Sequence, residues 1–276
     1  MTKRKTSPHL SSSLQTALDC SIKSFKHVAV FREPLTRLDL DCHRKHFASV
    51  RALTLLVFLI GASNEAMACR LALILALDVS QSVNSADYAL QSQGVARAFR
   101  DKEVRAALLD YGEPVASIAF EWSGTGHQMV IADWVLLSKP NNIDRFADQI
   151  EQHGRTKNGQ KTAIGSALRF ASDLLAQGPD CSNWVIDISS DGYNSAGEPP
   201  SQVYEALDFS AITVNALVIG GKQRPLLKRH FETEVIQGPG AFVLTTQSFA
   251  DYAEAFRRKL LRELRARNVV ATADAG

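Results

Sequence analysis

Seven consecutive apolar residues, 71–77 (Leu-Ala-Leu-Ile-Leu-Ala-Leu), run directly into Asp78-Val79-Ser80-Gln81-Ser82. The run is too short to cross a membrane, which takes about 20 such residues. No polar residue alternates with its apolar ones, so it reads as a strand buried on both faces, the pattern of a parallel sheet covered by helices. At its end, three short oxygen-bearing side chains stand at alternate positions, and a helical pattern begins near Asp87. The carboxyl end of a strand in an open α/β sheet is where ligands bind. Hard cations such as Mg²⁺ take oxygen ligands of this kind. A turn with a serine cap for the following helix accounts for the same residues, and this stretch alone does not separate the two.

Downstream, apolar runs alternate with amphipathic patterns. Helices are expected over 85–100 and 103–109. Strands over 115–122 and 128–134 form a hairpin around Gly124 and Gly126. A helix over 143–152 is expected to be capped by Asn141 or Asn142, and a further helix to open at Thr162. A buried strand over 184–188 leads to Ser189-Ser190-Asp191-Gly192. A helix follows Pro199-Pro200-Ser201 to about Phe209, then a strand over 212–219, a helix over 224–231, a short strand over 241–244 and a last helix over 248–267. The order predicts an α/β fold, a doubly wound, mostly parallel central sheet with one antiparallel edge strand.

The formal charge of +2 is unevenly spread: residues 1–68 hold 10 Lys/Arg against 5 Asp/Glu, leaving 21 against 24 for the remainder. A slightly acidic remainder argues against nucleic acid as a partner. Within the basic part, His43-Arg44-Lys45-His46 precedes an apolar stretch over 52–62, and Ala66-Met67-Ala68 follows. That is the order of a secretory signal. The expected organisation is a leader or mis-assigned start over 1–49, a signal peptide over 50–68, one domain over 69–268 and a disordered tail over 269–276. The expected location is periplasmic or secreted. Cleavage after Ala68 leaves Cys69 and Cys181 of the four cysteines. An exported pair points to one disulfide; the rival is lipidation of Cys69.

Thr162 follows a polar loop, and Asp191 ends a buried strand, both at the rim where Asp78 lies. Five side chains, Asp78, Ser80, Ser82, Thr162 and Asp191, thus offer two carboxylates and three hydroxyls, a set suited to an octahedral divalent ion. This pattern resembles the metal-ion-dependent adhesion site of von Willebrand factor A domains. More narrowly, the chain resembles the exported bacterial DUF1194 family, which has that Rossmann-type fold. The residues that carry this are Leu75-Ala76-Leu77-Asp78-Val79-Ser80, Glu121-Trp122-Ser123-Gly124, Val185-Ile186-Asp187-Ile188-Ser189, Gly238-Pro239-Gly240-Ala241-Phe242 and Arg257-Arg258-Lys259-Leu260-Leu261. The resemblance implies that Asp78, Ser80 and Ser82 bind the metal directly or through water, with Thr162 a direct or switchable ligand. It also implies that Asp191 acts through water and that a partner's carboxylate completes the shell. The expected ion is Mg²⁺, or Mn²⁺ or Ca²⁺, and the expected partner a protein that offers an acidic residue.

Glu121 and Trp122 end a strand at the rim, either shaping the partner site or packing under a helix. The same ion could instead activate water in a hydrolase, with Glu121 as its base, or serve only to stiffen the rim. Gly154 to Thr162 resembles a phosphate-binding loop, but Gln160 is inserted and a helix precedes it, so it reads as the lead-in to Thr162 and not as a nucleotide site. His127, His153 and His230 are scattered and read as surface residues. Arg257, Arg258, Lys259, Arg262, Arg265 and Arg267 read as a solvated helix face, with contact to an anionic membrane a lesser alternative.

Overall fold

The computed structural model describes residues 69–110, 112–156 and 160–266. The expected leader, signal peptide and tail over 1–49, 50–68 and 269–276 lie outside them. The elements in chain order are β1 (Leu71–Asp78), α1 (Ser85–Arg100), α2 (Lys102–Leu109), β2 (Val115–Trp122), β3 (Gln128–Leu136), α3 (Pro140–Gln152), α4 (Ile164–Ala176), β4 (Trp184–Ser190), α5 (Pro200–Ala206), β5 (Ile212–Val218), α6 (Pro225–His230), β6 (Val243–Thr245) and α7 (Tyr252–Ala266). A π-turn over Phe231–Val235 extends α6, and a 3₁₀ turn over Phe249–Asp251 leads into α7.

The sheet order is β3-β2-β1-β4-β5-β6. Among these strands, β2 and β3 pair antiparallel and the other neighbours are parallel. This is the doubly wound architecture with an antiparallel edge strand. Strand alternation divides the core. Leu71, Leu73, Leu75 and Leu77 pack with α1, α2, α3 and α7, while Ile74 and Ala76 pack with Ile118, Phe120, Trp122 and α4. Every residue of β1 is buried, as an apolar run covered by helices on both faces must be. The chain leaves β1 for β2 and β3 on one side, then returns to β4 on the other. The strand order therefore reverses between β1 and β4, and their carboxyl ends open the crevice that such sheets use for ligands.

Three local expectations change. α3 begins at Pro140 with no side-chain cap, because proline at the first helical position already has the required φ; Asn142 Nδ2 instead donates to the Leu136 carbonyl at 2.9 Å. α4 begins at Ile164, not Thr162, and α5 stops at Ala206, short of Phe209.

The basic face of α7 is a larger correction. Lys259 is 0% exposed, and its Nζ lies 2.6 Å from Asp187 Oδ1 and 2.8 Å from Glu263 Oε1. Helical periodicity sets 259 and 263 beside the apolar stripe of Tyr252, Phe256, Leu260 and Leu264, so these two turn inward with it. Asn215 Nδ2 donates to Glu263 Oε1 at 2.7 Å, and the Phe242 amide donates to Asn215 Oδ1 at 3.1 Å. Arg257 forks onto Glu254, and Arg262 lies 3.7 Å from the centre of the Phe242 ring. The face is not a run of free cations. Among the described residues, no helix is long and apolar enough to cross a membrane.

Cys69 and Cys181 are joined by a disulfide just before β1 and β4, where the Ser182 amide donates to the Cys69 carbonyl at 2.9 Å. At a sequence separation of 112, replacing both by Ser should cost about 2–5 kcal/mol, read as a lower urea midpoint together with a slope that rises as the unfolded chain loses its cross-link. In the buried triad two carboxylates share one ammonium. Burial is the main cause that pushes Asp187 up from 3.8 to about 7; Lys259 opposes it and Glu263 adds to it. Between those values the folded state keeps a proton that the unfolded state has lost, so stability should fall as pH rises from about 4 to 7. Asp187→Asn should flatten that slope in urea titrations. Lys259→Met, which leaves two carboxylates without their counter-charge, should cost about 3–5 kcal/mol.

Candidate metal centre at the carboxyl rim

Asp78 is the last residue of β1 and is 0% exposed. Its Oδ1 accepts from the Ser80 amide at 2.7 Å, and its Oδ2 accepts from Ser190 Oγ at 2.5 Å. The first bond closes the chain into a tight turn, as aspartate does two residues ahead of itself. Burial pushes the Asp78 carboxyl up to about 6, against the bonds from Ser190 and Ser80 that favour its charged form, and the Asp191 charge adds to the rise.

The remaining expected residues join in one network. Ser80 Oγ lies 3.2 Å from Ser82 Oγ, Thr162 Oγ1 donates to Ser80 Oγ at 3.2 Å, and Ser82 Oγ donates to Asp191 Oδ1 at 2.6 Å. Exposure is graded: Asp78, Ser80 and Thr162 are buried, Asp191 is half-buried and Ser82 is open to solvent. Three chain segments thus bring two carboxylates and three hydroxyls together at the sheet's switch point. Among the described residues, no group of three or more His, Cys, Asp or Glu is placed to hold a metal. The donors here are mixed carboxylate and hydroxyl, the chemistry of a hard-cation site and not of a zinc site built from nitrogen and sulfur. The set therefore fits a hard divalent ion.

Long-range bonds hold the three segments in place. Gln91 of α1 donates to the Asp78 carbonyl at 3.2 Å, and the Gln81 amide donates to the Gln160 carbonyl at 2.8 Å. The Thr162 amide donates to Ser195 Oγ at 3.1 Å, and the Thr162 carbonyl accepts from the amides of Ser195 and Ala196. Asn194 Oδ1 accepts from the Ile164 amide at 2.7 Å, so α4 is capped from thirty residues away and not by Thr162. Arg169 and Glu198 pair through two bonds of 2.7 Å and clamp the same loop to α4. Gly192 admits the close approach of Thr162, because a Cβ there would stand 2.8 Å from Thr162 Oγ1.

Ser190, Gln91, Asn194 and Ser195 escaped the sequence reading. Only Ser190 carried a signal, a hydroxyl in the strand end next to Asp191. Glu121 and Trp122 end β2 as expected, but both are 0% exposed, which corrects their assignment to a partner-contacting rim. Trp122 belongs to the core beneath α4. Glu121 points to the opposite face, toward His127 and His153, whose Nε2 atoms lie 3.4 and 3.6 Å from its oxygens. Those two histidines are therefore not plain surface residues.

The sequence matches the family described as "Protein of unknown function (DUF1194)" over residues 68–268. Comparison with curated proteins gives no match. Among solved structures, proximal thread matrix protein 1 from the mussel byssus is similar at 18% identity and a TM-score of 0.51, over 70% of this chain and 47% of that one. The pilus adhesin SpaC from Lactobacillus rhamnosus GG is similar at 12% identity and a TM-score of 0.51, over 71% and 30%. A von Willebrand factor type A protein from Catenulispora acidiphila gives 14% and 0.48, over 71% and 43%. The chain thus spans less than half the length of each, and the likeness to the first two speaks for the fold alone.

Gly192→Ala should push Thr162 Oγ1 away from Ser80. Overpacking of this kind costs about 1–3 kcal/mol, and Mg²⁺ affinity measured by calorimetry should drop with it, whereas Gly126→Ala, where a Cβ meets nothing within 4 Å, should change neither.

Proposed function

The chain belongs to the DUF1194 family, and from that footing we propose that it is a divalent-cation-dependent protein-binding module of an exported protein. One observation carries the reading: oxygen side chains from three distant segments form a single hydrogen-bonded set, graded from a wholly buried carboxylate to a solvent-open serine, at the point where the strand order reverses. Asp78, Ser80, Ser82, Thr162 and Asp191 would hold the ion, which is Mg²⁺ or, in its place, Mn²⁺ or Ca²⁺. A bound cation supplies an electrophilic position for a carboxylate from a partner. The chain's own residues hold the oxygens at the rim, with Asp78 shielded from water and the Ser82 and Asp191 side open. Two carboxylates about balance a double positive charge, so an incoming Asp or Glu meets an ion that is not over-neutralised.

The hydrolase alternative loses its base, because Glu121 is buried on the far side of β2 from Trp122 and faces two imidazoles. Export is supported by the signal-like order of residues 43–68 and by a disulfide, a bond that persists in oxidising compartments.

Calorimetric titration with Mg²⁺ and Mn²⁺ should give binding that Asp78→Ala abolishes. Pull-down from a periplasmic extract should capture a protein in Mg²⁺ and release it in chelator, and the captured protein should lose binding when one of its acidic residues is neutralised. Cation binding that survives intact in Asp78→Ala, or capture indifferent to chelator, would sink the proposal.

A further inference from the structure

His153, Arg155 and Thr156 open the segment that ends at Thr162, and all three reach inward. His153 Nε2 meets one oxygen of the buried Glu121 carboxylate at 3.6 Å, and His127 Nε2 meets the other at 3.4 Å. Thr156 Oγ1 lies 2.8 Å from His127 Nε2. On one side of Arg155 the segment thus lies against β2 through His153, and on the other it is bonded to the β2–β3 turn through Thr156. Tyr88 of α1 shares this interior. Burial holds its hydroxyl in the neutral form, the Glu121 carboxylate reinforces that, and Arg155 opposes it.

From between these anchors the Arg155 guanidinium turns to the backbone beyond β1. Its Nη2 donates to the carbonyls of Val79 at 3.0 Å and Ser80 at 3.3 Å, and its Nη1 donates to the Thr156 carbonyl at 3.1 Å. Val79 and Ser80 lie in the turn that carries the chain from Asp78 to Ser82. One side chain thus ties the turn that bears two of the expected ligand hydroxyls to the segment that delivers Thr162.

We infer that Arg155 is a positioning residue for the cation site, its segment placed by His153 beside Glu121 and by Thr156 on His127. The inference rests on the cation reading above. Charge by itself points the other way: a guanidinium beside a cation site repels the cation, so its removal would strengthen binding if charge were its whole effect. Positioning gives the opposite sign. A planar guanidinium whose Nη2 holds the Val79 and Ser80 carbonyls while its Nη1 holds the Thr156 carbonyl fixes the turn that bears Ser80 against residues 153–156, and without it the hydroxyls must be ordered at the expense of binding.

The test is calorimetric titration of the intact protein with Mg²⁺ and with Mn²⁺, comparing wild type, Arg155→Met, Arg155→Lys and Glu121→Gln, with thermal unfolding in chelator to establish that each is folded. Arg155→Met should weaken Mg²⁺ binding about tenfold, as expected for loss of charge-assisted hydrogen bonds. Arg155→Lys should recover part of the loss, since an ammonium reaches one carbonyl but lacks the fork. Glu121→Gln, which keeps the shape and removes the charge that anchors the segment, should weaken binding by a smaller factor. Arg155→Met binding as tightly as wild type or tighter overturns the inference, as does Arg155→Lys binding no better than Arg155→Met. Should Arg155→Met not fold, unchanged affinity in both Arg155→Lys and Glu121→Gln overturns it. A wild type that binds no divalent cation overturns the metal reading itself, a result distinct from these.

Discussion

A carboxylate shut away from water stands at the end of the most buried strand, and the rim is arranged around it. Removing a charge from water is costly unless hydrogen bonds or a counter-charge replace the solvent. Asp78 receives an amide from Ser80 and a hydroxyl from Ser190, and burial still lifts its carboxyl to about 6. Those contacts do more than satisfy it. The Ser80 bond shapes the turn that points Ser80 and Ser82 at Thr162 and Asp191, and the Ser190 bond fastens β4 to β1 where the strand order reverses. The placement of the whole set follows from where one carboxylate is buried.

A second polar system lies deeper in the same sheet. Asp187 stands opposite Leu75 on β1 and Asn215 on β5, and Lys259 reaches it from α7. Two residues along β4, Ser189 Oγ lies 2.9 Å from the Tyr252 hydroxyl, again on α7. The next residue, Ser190, holds Asp78. α7 and the rim thus bear on adjacent residues of one strand. The segments 185–189, 238–242 and 257–261, which entered the sequence reading as bare strings, meet in this network through Asp187, Phe242 and Lys259.

Much of the fold was legible because strands and helices declare themselves locally. An unbroken apolar run between turn residues permits few structures, and an apolar residue every third or fourth position permits fewer. Asp78, Ser80 and Ser82 were legible for the same reason, being adjacent in the chain. Thr162 and Asp191 could be added because one stands at an expected helix start and the other at the end of an expected strand. The roles of Asn142 and Asn194 could not. Asn142 stood where a cap was wanted but bonds back to β3, and α4 is capped by a residue thirty positions later. A side-chain amide bonds whatever backbone comes within reach, and reach is a property of the folded chain.

The sequence by itself determined the layered α/β architecture, the strand that anchors it and the residue types gathered at the rim, all of which rest on local periodicity and spacing. Tertiary structure alone decided that Lys259 is a buried cation and not a surface one, that Glu121 faces two histidines and not a partner, and that Arg155 spans from the Thr162 segment to the Val79 and Ser80 carbonyls. Burial and pairing depend on which segments cross, and for a charged side chain those two quantities decide whether it faces solvent, holds the core together or orders a site.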